Sequence, residues 1–335
     1  MENLSELRAW HASLPERIEA SLRQDSVEQT YQVLHQHHRT MHRTAFLLAQ
    51  KQLAVEGHPS LRASYCFVML GSGARREQAL RVDQDHALIY VAHDFTSKQR
   101  VHDYFFQLSE LVSAYLHEIG YALCSGNVMA SNPRWRGTQE DWLQRLDFYQ
   151  KEPTWEHIRY LLIAADAMPI IGDEQLVFAM RQQAVDYVAR SPFMRWKIAD
   201  QGRADKVMLP LWRKGTVSLK ETLYTPLVNS IRLWAHSMDI AEPSTRQRIE
   251  LISKNRGWSA ELAQDATRAI ARVLTWRLRL HVDQALHGEE PTDLLHLEKL
   301  SGDEWEQMRM TVRFIRKLQL LTGKHFHERR RVDGI

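Results

Sequence analysis

Two carboxylates, Asp83 and Asp85, stand two positions apart just ahead of an apolar, β-prone run at residues 86–92. Successive strand side chains point to opposite faces, so this spacing aims both acids the same way. Like charges held side by side repel unless a cation lies between them. Hard oxygen donors of this kind suit Mg²⁺, which is usually held by one or two carboxylates plus substrate phosphates. A second signal lies upstream. A β-rich apolar run at 64–70 leads into Gly71, Ser72 and Gly73. The two glycines let the backbone approach a ligand closely, Ser72 offers a hydroxyl, and backbone N–H groups at a helix start attract anions. Arg75 and Arg76 follow at once, both suited to charge-assisted bonds with phosphate oxygens. The chemistry to look for is that of a divalent cation bound together with a polyphosphate.

The elements that must position these groups read as strand, small-residue turn with a short helix, then strand. That order, with G-S in the turn and D-x-D on the second strand, resembles the nucleotidyltransferase fold of the polymerase-β type. The longer string GSGARREQ…DQDHALIY resembles one branch of it closely. That branch comprises signal-transduction nucleotidyltransferases related to PII-uridylyltransferase, often fused to CBS or cyclic-nucleotide-binding domains. The segments VMASNPRW (128–135) and VSLKETLYTPLV (217–228) resemble the same branch. The resemblance implies a Mg²⁺-dependent transfer of a nucleoside monophosphate from a nucleoside triphosphate to an acceptor hydroxyl. The acceptor would be a protein side chain, and the partner a regulatory protein. On this basis Asp83 and Asp85 are the catalytic and metal-holding pair. Gly71, Ser72, Gly73, Arg75, Arg76, Glu77, Gln78 and Lys220 are the candidate nucleotide-binding residues, with Asn132 and Arg134 as further candidates for the cleft. His86 stands where most relatives are expected to carry Asn. In one respect the chain departs from active members of the wider fold, which commonly bring a third carboxylate on a later strand. The segment YALCSGNVMA (121–130) holds no acid, and Asn127 lies near the place where one would be sought. A nucleotide-sensing or protein-interaction module is therefore the alternative to an enzyme.

At 335 residues the expectation is two domains with ample core. Lys and Arg number 44 against 41 Asp and Glu, a balance of +3 that gives no ground for a nucleic-acid partner. Two cysteines, Cys66 and Cys124, both in expected strands, point to buried thiols in a reducing cytoplasm. No apolar run is long enough to span a bilayer, and the first ten residues carry acids instead of an apolar signal core, so a cytoplasmic protein is expected.

The expected fold class is α+β. A helical N-terminal segment (1–60) leads into a small mixed-sheet nucleotidyltransferase domain (61–136) and an all-helical C-terminal domain (137–335), with the cleft between sheet and C-terminal helices. Ser26 and Gln29 form a capping box. From there Tyr31, Leu34, His38, Met41 and Ala45 step by three and four along one face of a long helix that ends near Gly57, with Pro59 beyond. A helix is expected over 97–118 and a third strand over 121–125. After Trp135 helical periodicity continues, including 192–206 and 259–287, with a short extended piece at 215–220. The histidine run His35, His37, His38 and His42 reads as a polar helix face. The tail from residue 325, with its arginines at 329–331, reads as solvated and frayed.

Overall fold

The computed structural model describes residues 3–58, 63–81, 83–92, 98–204 and 207–332. Expected features at Pro59, Ser97 and Lys206, and the side chains of Arg329, Arg330 and Arg331, lie outside the described residues. The fold is α+β, as expected from the sequence. The chain divides into two compact units, one of residues 1–152 with 160–183, the other of 153–159 with 184–335.

The first unit opens with α1 (Leu4–Ala12) and α2 (Leu14–Gln24), broken at Ser13 with Pro15 in the first turn of α2. Then comes α3 (Val27–Val55), started by the Ser26–Gln29 capping box. Its buried stripe includes Tyr31, Leu34, His38, Met41 and Ala45, the three-and-four spacing of an amphipathic helix. β1 (Ala63–Met69), α4 (Gly71–Ala74), β2 (His86–Ala92), α5 (Lys98–Ile119), β3 (Arg136–Thr138), α6 (Gln139–Lys151), α7 (Trp155–Ala164), β4 (Met168–Gly172) and α8 (Glu174–Arg190) follow. The four strands form one sheet in the order β3-β2-β1-β4. β1 is antiparallel to both β2 and β4, and β2 is parallel to β3. Phe46 of α3, Phe67 of β1, Tyr90 of β2 and Phe105 and Leu108 of α5 share one core cluster against the sheet.

Two sequence expectations need correction here. The third strand expected at 121–125 shrinks to one isolated bridge, Ala122 with Asp83. Ser125, Gly126 and Asn127 turn the chain away, with Asn127 in the left-handed region, and the true neighbour of β2 is β3. The stretch after Trp135 is also not wholly helical. β4 closes the far edge of the sheet; it is short and sits between two long helices, so helical periodicity on either side masks it.

The second unit is built from α9 (Pro192–Ala204), β5 (Thr216–Ser218), a π-helical turn (Leu219–Tyr224), α10 (Thr225–Ser237), α11 (Thr245–Lys254), α12 (Ala260–Leu286), β6 (Leu294–His296) and α13 (Gly302–Val332). β5 and β6 pair antiparallel. Leu227 and Ile231 of α10, Ile252 of α11, Val273 of α12 and Ile315 of α13 meet in its core. The tail is not frayed as expected. α13 runs to Val332, and Phe326 is buried against Trp234. Among the described residues no helix is long and apolar enough to cross a membrane.

Candidate active site

β1 runs straight into the turn. Gly71 adopts φ +55°, and a Cβ there would lie 2.5 Å from Asp85 Oδ2. Both the backbone conformation and the approach of the carboxylate therefore require glycine. Gly73 is needed for another reason, since a Cβ there would strike the Met69 sulfur at 2.5 Å. α4 is a single turn, closed by Glu77 N–H donating to Ser72 O at 2.9 Å and Arg76 N–H donating to Gly73 O at 3.1 Å. This is a Schellman ending, with Arg76 at φ +65° in the place glycine usually takes.

The carboxylates lie beside this turn. Leu70 N–H donates to Asp85 O at 2.9 Å, extending the β1–β2 ladder by one step. On the other edge Gln84 N–H donates to Ala122 O at 2.9 Å and His86 N–H to Val128 O at 3.0 Å. Asp83 and Asp85 are partly exposed, whereas Gln84 and His86, which alternate with them, are fully buried. The Cys124 thiol bonds to the Asp85 carboxylate. Burial, reinforced by the Asp85 charge, pushes that thiol up to about 11, so it remains an S–H and donates.

The donor set fits a hard divalent cation. It offers two partly exposed carboxylates, and the absence of a side chain at Gly71 is what lets the Asp85 carboxylate sit directly against the turn. Among the described residues no three His, Cys, Asp or Glu groups converge as a closed site. A cation held by these two acids would need water or phosphate oxygens as its other ligands, a sharing that Mg²⁺ favours.

The other expected ligands are placed in different ways. Arg75 turns inward: its Nη1 donates to Asp166 Oδ2 at 2.6 Å and its Nε to Glu77 Oε2 at 3.3 Å, all three side chains being buried. Arg76 is exposed. Gln78 is buried with its Oε1 unpartnered among the described residues, and that oxygen faces Gly73. Ser72 is half-buried in the turn. Lys220 is exposed in the π-helical turn of the second unit, whereas the remaining candidates all belong to the first. Asn132 caps a short 3₁₀ turn (Pro133–Trp135) through Arg134 N–H and donates to Asn127 O at 2.9 Å. Arg134 stacks on Tyr160 and donates to Tyr149 Oη.

Sequence reasoning missed Asp166, 91 residues from the arginine it holds, and Arg136, whose Nη1 donates to Ala130 O at 2.6 Å and Ser131 O at 3.0 Å. Nothing local in the sequence marks either. The histidine run is not a solvated face, since His37, His38 and His42 are buried. Their tautomers follow from their partners. Ala79 O only accepts, so His38 Nε2 donates to it at 3.1 Å and His38 Nδ1 accepts from Tyr121 Oη at 2.8 Å. Arg17 only donates, so His37 Nδ1 accepts from it and His37 Nε2 donates to His11 Nδ1 at 3.0 Å. His42 Nδ1 donates to His38 O at 2.8 Å. Each ring is neutral: burial lowers His11 to about 4, His37 to about 3, His42 to about 4, and His38 well below the usual range.

Fold and site together set a glycine turn beside two partly exposed carboxylates at the edge of a small mixed sheet. Comparison with known families bears on what such a fold does. Residues 13–156 match the family described as "Putative nucleotidyltransferase DUF294", and residues 202–326 match the one described as "Putative nucleotidyltransferase substrate binding domain". The two matches support a nucleotidyltransferase family for this chain. No curated protein is matched.

Proposed function

We propose that the chain is a Mg²⁺-dependent nucleotidyltransferase that moves a nucleoside monophosphate from a nucleoside triphosphate to a hydroxyl of a regulatory protein. The observation that carries this reading is the seating of the Asp85 carboxylate against Gly71, with Asp83, two positions earlier, likewise partly exposed while Gln84 between them is buried. Asp83 and Asp85 would hold the cation, which would supply positive charge against the charge developing on the phosphates in the transition state. Ser72, Arg76 and the turn backbone would hold the phosphates. The acceptor oxygen forms its bond to the α-phosphorus, the bond to the pyrophosphate oxygen breaks, and the hydroxyl proton passes to solvent.

A direct test is incubation with Mg²⁺, α-labelled ATP, GTP, CTP or UTP, and cell lysate. Label moves to protein with one of the four, and Asp83→Ala with Asp85→Ala abolishes it. Transfer that survives this double substitution ends the reading. One observation favours a second reading, a sensor that binds Mg–nucleotide without turnover. The segment beside the carboxylates brings the Cys124 thiol to Asp85, not a third acid. Calorimetric binding of a triphosphate that is neither cleaved nor transferred would select it.

A further inference from the structure

The extended stretch 83–86, which carries the two acids and leads into β2, has a second, inward face, and its polar groups are completely matched. Gln84 and His86 are both fully buried. The Gln84 amide Nε2 donates to Ser113 O of α5 at 3.1 Å and to Tyr121 O at 3.2 Å. Two carbonyls leave no choice for the amide orientation: nitrogen faces them, and Oε1 faces the other way. That oxygen lies 3.2 Å from His86 Nε2. His86 Nδ1 accepts from Ala130 N–H at 3.1 Å, so the ring proton sits on Nε2 and is donated to Gln84. The chain of bonds therefore runs Ala130 N–H to His86 to Gln84 to the carbonyls of Tyr121 and Ser113. Every polar atom of both side chains is used. A buried network in which every member is satisfied is rigid, and one in which a member is lost is costly.

We propose that Gln84 and His86 are positioning residues for the metal site. They clamp the loop 121–130 and α5 to the inward face of this stretch, and this fixes where Asp83 and Asp85 present their carboxylates. The inference rests on the metal-site reading of those two acids. Asp85 is bounded on one side by Gly71 and on the other by Cys124, which belongs to the clamped loop, so slack in the clamp alters the opening left beside the carboxylate. The pattern D-Q-D-H thus divides by alternation, acids outward to the ligand and amide and imidazole inward to the scaffold.

The test uses the full chain and Mn²⁺ as a paramagnetic probe, alone and with each of the four common nucleoside triphosphates. Groups that orient metal ligands typically matter by roughly 10- to 100-fold in metal affinity. Gln84→Leu and His86→Leu are expected to weaken Mn²⁺ binding within that range. His86→Asn, which keeps an acceptor for Ala130 N–H, and His86→Gln, which keeps a donor for Gln84, are each expected to recover part of it. Leu116→Ala, a core truncation on α5, is the control for lost stability. A fall in Mn²⁺ affinity that tracks melting temperature equally in the clamp variants and Leu116→Ala overturns the proposal. If the clamp variants bind Mn²⁺ normally while Asp83→Asn with Asp85→Asn does not, the clamp is overturned and the metal site stands. If that aspartate double variant also binds normally, both fall. Should the leucine variants fail to fold, the ¹⁵N spectrum of the unaltered protein still decides: a proton on His86 Nδ1 instead of Nε2 overturns the clamp.

Discussion

The interiors of the two units are held by opposite electrostatic devices. In the first unit uncharged rings join α1 to α3 through His11 and His37, and α3 to the loop after α5 through His38 and Tyr121. In the second unit Arg277 donates to both oxygens of Asp293, at 2.6 and 3.2 Å, with His281 3.4 Å away. Burial alone would raise Asp293, but the adjacent His281 and the hydrogen-bonded, charged Arg277 outweigh it and hold the carboxyl well below its ordinary range. A neutral ring enters the interior at modest cost provided it stays neutral, whereas a carboxylate enters only with its cation. The first unit also contains such a charged set, Arg75 with Glu77 and Asp166, next to the Gly71–Ala74 turn. The contrast is local: a mutually paired charged set anchors the turn, whereas the seam of α1 and α3 is built from neutral rings.

The largest effects should come from breaking these charged sets. Asp166→Ala removes the shorter ion pair of the buried Arg75 guanidinium, at 2.6 Å, and leaves the one to Glu77 at 3.3 Å. Breaking a buried pair costs about 3–5 kcal/mol, and the remaining contact puts the loss toward the lower end of that range. Asp293→Ala should cost less, because Asp293 keeps 15% of its side-chain surface in water and Asp166 none. Replacing the whole set, Arg75→Met with Asp166→Leu and Glu77→Gln, should restore much of the stability lost in Asp166→Ala, because no buried carboxylate is then left without its arginine. Denaturant melts of the three variants test this. Equal losses for Asp166→Ala and Asp293→Ala would erase the distinction.

Acid should separate the units next. The buried histidines have folded values below their unfolded value of 6.5, so between these limits the unfolded chain binds more protons. Their contribution is complete above pH 6.5 and is lost as pH falls toward 4. By pH 5.5 each ring costs about 1.4 kcal/mol, and His11, His37 and His42 together about 4 kcal/mol. That is a large part of a typical domain's 5–15 kcal/mol. Asp293 works in a lower window: its stabilisation is present above its unfolded value near 3.8 and fades only as pH drops below that. Melting curves from pH 7 to 4 should show the first unit losing stability before the second. Parallel loss in both units would contradict the comparison.

A smaller effect sits at the same seam. Tyr121→Phe removes the O–H that donates to His38 Nδ1 and leaves a buried ring nitrogen without a partner. The expected cost is about 1–3 kcal/mol. A thermal melt showing no change would mean that water takes the place of the hydroxyl.

Much of the site's frame was legible because it is local. The strand–turn–strand order, the Gly71 bend and the alternation of Asp83 and Asp85 need only periodicities of a few residues, and so does the Ser26–Gln29 cap on α3. What stayed hidden is long-range. Arg75 reads in sequence as a phosphate ligand, and only the fold brings Asp166 to it. The histidines of α3 read as polar because their partners, Tyr121 and Ala79, come from distant segments. β4 was missed because a five-residue strand carries little signal between helices of 10 and 17 residues.

The finest comparison concerns three helix ends. Arg76, Asp239 and Arg256 all adopt φ near +60°, each within the same Schellman closure, where Glu77, Ile240 and Gly257 N–H donate back to Ser72, Ala235 and Ile252 O. At Gly57, Gly120 and Gly288 the chain uses glycine for the same bend. A side chain there carries a left-handed strain of about 1–2 kcal/mol, partly offset because glycine is freer when unfolded. Arg256→Gly should therefore stabilise by about 0.5–1 kcal/mol, and Asp239→Gly by less, since short polar residues tolerate this region best. Arg76→Gly should gain as much stability as Arg256→Gly. If the exposed guanidinium at Arg76 serves the phosphates, it alone of the three should also lose affinity for a triphosphate, by about tenfold or more, the worth of one charge-assisted bond. Strain retained without loss of binding at Arg76 would make it a cap like the other two, and would leave the turn backbone and Ser72 to hold the phosphates.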